Sequence, residues 1–321
     1  MKFESQNETG TQRSHPKAIL QALLVTFLWS TSWVLIKIGL KASLPAITFA
    51  GLRYSLAFLC LLPFILSSPI HRSALRSFSR PTWVQLIFLG VVFYTLTQGT
   101  QFVSLAFLPT ATLNLLLNFS PVFVAFFSGV LNKESPSIIQ WGGIILSVAG
   151  AVVYFVPLNV LPGQIIGLMV ALISVLANSG SSLLGRQVNS QRGLTPIVVT
   201  TVSMGIGGLL LLVIGALTQG FGQLDFMQWV IIGWLAVVNT AFAFTLWNTT
   251  LQTLTAVESS IINGTMLPQI AILAWFFLDE PLTPRQIIGI VLVGVGTLVV
   301  QLWRYLPGNV KSVTIKLDKT G

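Results

Sequence analysis

Ten stretches of this chain, near residues 18–40, 45–67, 82–104, 109–131, 138–156, 162–185, 195–218, 227–248, 256–278 and 285–303, are apolar almost without interruption. Each approaches or exceeds the roughly 20 residues an α-helix needs to cross about 30 Å of hydrocarbon. Inside a bilayer the backbone must satisfy its own polar groups, so only helices and closed barrels span it. Barrel strands alternate apolar and polar residues over about ten positions, and these runs are too long and too continuously apolar for that. With 54% hydrophobic and 8% charged residues, a water-soluble fold would expose a large apolar surface. The sequence therefore predicts an all-α integral membrane protein with ten transmembrane helices.

The runs are not ten independent segments. Asn118-Phe-Ser-Pro121, an apolar run, Glu134, then Gln140-Trp-Gly-Gly143-Ile and Gly150 recur as Thr265-Met-Leu-Pro268, an apolar run, Glu280, then Gln286-Ile-Ile-Gly289-Ile and Gly296. A duplicated half follows: a first repeat at 17–156 and a second at 162–303, flanked by polar tails at 1–16 and 304–321. Gly143 with Gly150, and Gly289 with Gly296, are spaced i to i+7. Each pair lies on one helical face, where small residues let backbones approach closely in lipid.

Basic residues set the orientation. With the N-terminus cytoplasmic, the inside segments hold thirteen of the seventeen Lys and Arg, and the outside connections only Lys41 and Arg285. The positive-inside rule thus predicts a multi-pass protein with both termini cytoplasmic, and the short tails without a transit-like presequence favour the cell membrane. Five spans per repeat is an odd number, so the second repeat enters the membrane upside down relative to the first. The net charge of +9 is then an orientation signal, and no nucleic-acid partner is expected. The first span is too long for a signal-peptide core and is expected to be retained. One cysteine, Cys60, builds neither a disulfide nor a metal framework, and no cofactor or metal is expected.

Polar residues within the spans need partners that lipid does not offer. On straight α-helices, Tyr94, Thr97, Gln98 and Gln101 share one face; so do Asn114 and Asn118; Thr240, Phe244, Trp247 and Asn248; and Ser259, Ser260 and Asn263. Such stripes either glue helices together or line a wet cavity. Trp29 and Trp33, mid-span at i and i+4, either wall that cavity or pack in the core. Trp83, Trp141, Trp229, Trp275 and Trp303 lie near span ends, as amphipathic rings do at the headgroup level. Lys37, three residues from the outer end of its span, is expected to snorkel to the interface. Arg53 lies about eight residues into the second span, roughly 12 Å deep at 1.5 Å per residue, and requires an internal partner. That partner is either structural, such as a helix carbonyl or a Gln, or the carboxylate or phosphate of a ligand, whose geometry a guanidinium fork matches. Glu258 starts the ninth span and is either a charge favoured by the helix dipole or a proton-coupling carboxylate.

Several motifs together resemble the drug/metabolite transporter superfamily, of the EamA type, over roughly residues 18–303. They are Trp29-Ser-Thr-Ser-Trp33 followed by Lys37, Arg53-Tyr, Leu105-Ala-Phe-Leu-Pro-Thr-Ala111 leading to Pro121, and Leu254-Thr-Ala256 through Pro268 to Leu278-Asp-Glu280-Pro-Leu-Thr283. The first repeat departs from the last signature, reading Leu131-Asn-Lys-Glu134-Ser-Pro136. The resemblance implies a basket of ten helices in two inverted five-helix repeats. Its cavity is lined by the first four helices of each half, the fifth and tenth lie at the periphery, and small metabolites, often amino acids, leave the cell through it. Trp33, Arg53, Tyr94, Gln98, Gln101, Asn118, Trp247, Asn248 and Asn263 are then the candidate substrate-binding residues, and Pro121 and Pro268 the candidate hinges.

A membrane-embedded enzyme needs clustered acids, histidines or cysteines, and of the eight acidic residues only Glu258 lies inside a span. The expected activity is secondary transport, export of amino acids or related compounds by alternating access, with the lipid bilayer and a small-molecule substrate as partners and a homodimer left open. An exchanger of phosphorylated metabolites such as nucleotide sugars, or a lipid scramblase, remains as the alternative.

Overall fold

The computed structural model describes residues 15–120, 122–124, 127, 137–156, 161–189, 194–250, 253–254 and 262–303, without the side chains of Arg186, Asn189, Asn248, Gln301 and Trp303. Among the described residues there is no strand. The helices are α1 (His15–Lys41), α2 (Ala46–Ser67), α3 (Pro69–Ser77), α4 (Arg80–Phe107), α5 (Thr110–Leu117), α6 (Ile138–Phe155), α7 (Pro162–Asn189), α8 (Pro196–Thr218), α9 (226–250), α10 (Met266–Leu278) and α11 (Pro284–Trp303). Seven of them, α1, α2, α4, α6, α7, α8 and α9, are long and apolar enough to cross a membrane; the apolar helices beginning at Thr110, Ile262 and Pro284 are shorter.

Local chemistry fixes where the helices begin. Pro69, Pro196 and Pro284 occupy first-turn positions, where the missing N–H would find no helical partner in any case. Ser137 with Gln140, and Asp225 with Gln228, form reciprocal capping boxes at the starts of α6 and α9. Thr283 and Gln286 exchange the same bonds ahead of α11. The duplicated Gln140 and Gln286 are therefore helix-start residues.

Helix pairing follows the small residues. α6 and α11 lie antiparallel along their lengths, with Gly143 on Gly296 and Gly150 on Gly289. A methyl group at Gly143 would stand 2.7 Å from Gly296 O, so only hydrogen allows the approach, and the glycine faces read from the sequence are packing surfaces. α2 and α8 are likewise antiparallel: Gly215 meets Thr48 and Gly208 meets Tyr54. α1 lies against α9 and α10, α7 against α4 and α5, and α5 against α10. The main core, with Phe49, Tyr54, Tyr94, Phe102, Met204 and Leu235, sits where α2, α4, α8 and α9 meet. The outward faces are apolar, with Ile138 87% exposed and Trp83, Trp141, Trp229 and Trp275 exposed near helix ends. Such a surface suits lipid and not water.

Candidate functional site

Two of the predicted polar faces are redrawn by backbone geometry. α4 is π-helical over Gly90–Gln98 and α9 over Val237–Phe242, and these segments widen the turn exactly where straight 3.6-residue periodicity was assumed. Thr97 turns its hydroxyl to Val92 O, 2.9 Å away and five residues back, so it leaves the expected stripe. Tyr94 and Gln98 stay together on Tyr54: its ring lies 5.4 Å from that of Tyr94, and its hydroxyl donates to Gln98 Oε1 at 2.6 Å. Gln101 follows on the next turn, half-buried.

Arg53 is 4% exposed, and its partner comes from the second π segment. Its Nε donates to Thr240 Oγ1 at 2.9 Å, and that hydroxyl donates onward to Leu235 O at 2.8 Å, five residues back. The guanidinium carbon lies 5.2 Å from the centre of the Tyr54 ring and 6.0 Å from that of Phe102, within range of cation–π attraction. No hydrogen bond from its two terminal nitrogens reaches a described residue. A buried guanidinium whose fork meets no partner among the described residues can receive a carboxylate in two parallel bonds.

The neighbouring residue of the same π segment reaches the other way. Asn239 donates its amide to Leu28 O and lies 3.2 Å from Thr31 Oγ1, both on α1. Between those two residues stands Trp29, whose ring centre is 5.1 Å from Phe244 at 53° and 5.2 Å from Trp247 at 50°. Phe244 in turn lies 6.5 Å from Phe93, and Phe93 is 4.8 Å from Tyr94. An unbroken run of rings thus leads from Trp247 through Trp29 to Tyr54, beside Arg53. Two enclosed polar atoms next to it, Trp29 Nε1 and Asn239 Oδ1, have no hydrogen-bond partner among the described residues. Buried donors and acceptors left unpaired are costly and uncommon.

One end of the bundle is closed by ionic capping. Lys37 does not snorkel outward; its ammonium donates to Leu105 O and Leu108 O, 2.6 Å each, at the C-terminal end of α4. The unpaired carbonyls and negative dipole end of that helix favour a cation. Lys41 donates to Leu278 O at the end of α10. There Asp279 adopts φ 55°, a left-handed conformation that ends the helix. The chain then turns so that Glu280 accepts from Thr110 N at 2.6 Å and from Thr110 Oγ1 at 3.3 Å, capping α5. Nothing in the spacing of the Leu-Asp-Glu-Pro signature disclosed this partner, although its recurrence marked Glu280 as a residue with a job.

The remaining sequence candidates disperse. Asn114 and Asn118 do share a face, but Asn118 donates to Asn114 O at 2.9 Å and Asn114 to Leu267 O of α10 at 3.3 Å, which is helix-to-helix and intrahelical bonding. Trp33 packs against the apolar core, while Trp29 carries the aromatic contacts. Asn263 is exposed. Pro268 stands in the first turn of α10, just after the helical run breaks at Thr265. Since proline offers no N–H to the preceding turn, that break has a local cause. Gln269 beside it joins Ser30 of α1, 2.9 Å away, to Thr265 Oγ1 at 3.0 Å. Pro121, Glu258, Ser259 and Ser260, and the side chain of Asn248, lie outside the described residues.

Comparison with known proteins gives this arrangement a context. The profile of the EamA-like transporter family matches the chain twice, over residues 16–156 and 165–302. An uncharacterized transporter of Bacillus subtilis, YvbV, is 28% identical over 280 residues, covering 86% of this chain and 88% of its own. An S-adenosylmethionine/S-adenosylhomocysteine transporter of Chlamydia trachomatis is 26% identical over 280 residues, covering 83% of this chain and 84% of its own. A crystal structure of a protein only 18% identical superposes with a TM-score of 0.64 over 90% of this chain and 99% of that one, which establishes a shared fold. With two matches spanning most of its length and relatives that are transporters and not enzymes, this multi-pass membrane protein belongs to the EamA-like transporter family.

Proposed function

We propose that the protein is a secondary transporter of the cell membrane that exports amino acids or related compounds by alternating access. Its spans number ten in this reading, in two inverted five-helix repeats at 17–156 and 162–303, with both termini cytoplasmic. The packing supports inversion. Helices in equivalent positions of the two repeats, α2 with α8 and α6 with α11, pack antiparallel, as a two-fold axis in the membrane plane requires. The contacts of α1 with α9 and α10 have their counterpart in those of α7 with α4 and α5. The two π segments begin at Gly90 and Val237, the same offset of 147 residues that separates Pro121 from Pro268. Repeats of this kind carry their substrate near the midplane, and Pro121 and Pro268 would serve as the paired hinges.

The observation that carries the substrate class is Arg53, buried, with its Nε on Thr240 and no hydrogen bond from its fork to a described residue. One cation suits one carboxylate; phosphorylated dianions would call for more. Tyr94, Gln98 and Gln101 of α4 and Trp247 and Asn248 of α9 would line the remainder; Trp33, which packs on the core, Asn118, which bonds within α5, and the exposed Asn263 are left out of it. The aromatic run beside Arg53 favours an amino acid with a large or planar side group. The Chlamydia relatives, named for S-adenosylmethionine and S-adenosylhomocysteine, point the same way, because those compounds join an amino-acid end to an adenine.

Flux measured in proteoliposomes against a panel of amino acids and amino-acid conjugates tests this. Arg53→Gln should abolish export with membrane abundance near wild type, since losing a charge-assisted bond worth about 1.5–3 kcal/mol weakens binding roughly tenfold to a hundredfold. Absence of flux for every member of the panel, with the protein folded, would overturn the amino-acid reading in favour of phosphorylated metabolites. Movement of labelled lipid alone would favour a scramblase.

A further inference from the structure

Nothing in the transport site uses α3. This nine-residue helix is capped by Ser68, begins at Pro69 and buries none of its residues. It joins the end of α2 at Ser67 to the start of α4 at Arg80, two helices long and apolar enough to span a membrane, so it lies at the membrane surface. His71, Ala74, Leu75 and Phe78, spaced at i, i+3, i+4 and i+7, are partly covered, and Phe78 packs on Trp83 at 5.9 Å. The opposite side is open, with Ile70 74% exposed.

On that open side Arg72, Ser73, Arg76 and Ser77, together with Pro69, line a shallow recess of about 480 Å³ that is largely open to its surroundings. Arg72 and Arg76 are one turn apart on the same face, and Arg80 follows. The acids among the described residues are Asp225, Asp279 and Glu280, and none forms an ion pair with these arginines. The serines have a defined polarity. Ser73 Oγ donates to Ile70 O at 2.9 Å and Ser77 Oγ to Ala74 O at 2.8 Å. Each hydroxyl hydrogen is thereby committed to the helix, and only acceptor lone pairs face the recess.

We propose that this recess is a binding site for a phosphoglycerol lipid, with the phosphate between Arg72 and Arg76, the glycerol hydroxyls donating to Ser73 and Ser77, and Ile70 against the acyl chains. Two guanidinium groups match the phosphate oxygens. Two acceptor-only hydroxyls match a headgroup with two hydroxyl donors beyond its phosphate, which phosphatidic acid lacks. The depth agrees as well, because a short amphipathic helix with exposed cations and an exposed aliphatic side chain sits at the headgroup and acyl boundary. The inference is independent of the transported substrate.

Native mass spectrometry of the full-length protein, released from nanodiscs of defined composition, tests it. The wild type should retain phosphatidylglycerol in preference to phosphatidylcholine. Arg72→Gln with Arg76→Gln should weaken that retention roughly thirtyfold, at the strength typical of two basic groups at an anionic surface, while Lys316→Gln with Lys319→Gln, of equal charge change, should not. Ser73→Ala with Ser77→Ala should lower retention of phosphatidylglycerol but not of phosphatidic acid. Equal retention by the double arginine variant, with helix content unchanged by circular dichroism, would overturn the site. A matching loss of phosphatidic acid in the serine variant would overturn the headgroup assignment, and displacement of the lipid by millimolar inorganic phosphate would make it a soluble-anion site instead.

Discussion

Glu280 offers a sharp test of the packing logic, because its carboxylate reaches from the connection before α11 to the first turn of α5. It accepts from Thr110 N at 2.6 Å and Thr110 Oγ1 at 3.3 Å. Glu280→Ala leaves Thr110 N, a helix-end donor with no backbone acceptor, without its partner. Charge-assisted bonds to such donors are worth about 1.5–3 kcal/mol, and N-caps about 1 kcal/mol. Glu280 is only half-buried, so water can replace part of what is lost and the lower figure, about 1.5 kcal/mol, applies. For a chain of this size that amounts to a fall of about 3 °C in Tm, followed by tryptophan fluorescence in detergent. Glu280→Gln keeps the acceptor and loses the interaction with the helix dipole, worth about 0.5 kcal/mol, so it should fall between wild type and alanine. Thr110→Ala removes only the longer bond, costing about 0.5 kcal/mol, and in the Glu280→Ala background it should cost nothing further. An unchanged Tm for Glu280→Ala, or strict additivity in the double variant, would refute the capping role.

Two further outcomes follow from the same structure. Gly296→Leu should force α6 and α11 apart and destabilise the protein by about 1–3 kcal/mol, because a side chain there has no room beside Ser147 and Gly143; monodisperse elution of the variant at the wild-type Tm would contradict the helix contact. With both termini cytoplasmic, a cysteine at Thr283 should react with an impermeant reagent in intact cells and one at Ser73 should not, and the reverse pattern would invert the topology.

The sequence by itself determined the kind of solvent this chain lives in and, to within a few residues, the ends of most of the long apolar helices, but not α3 or the break at Thr265 within the run read as 256–278. Hydropathy is a property of each segment taken alone, and so are the caps, since Ser137 with Gln140 and Asp225 with Gln228 bond within four residues. The glycine faces at 143/150 and 289/296 were legible for a similar reason, as helical spacing alone puts each pair on one side. The tertiary structure decided everything that depends on which faces meet. The π segments at 90–98 and 237–242 leave no trace in apolar periodicity, yet they supply Thr240 to Arg53 and turn Thr97 away from the expected stripe. Lys37 lay close enough to the interface to snorkel, but the end of α4, nearly 70 residues further along the chain, brought carbonyls within 2.6 Å of its ammonium. Trp29 rather than Trp33 gathered the rings, although both share the same helix face and neighbours in sequence. For Arg53, Lys37 and Trp29 a buried polar or aromatic group took whatever partner the packed helices brought within reach, because lipid offers none, and that partner lies more than fifty residues away in the chain; Thr97 instead found its acceptor five residues back, on the widened turn of its own helix.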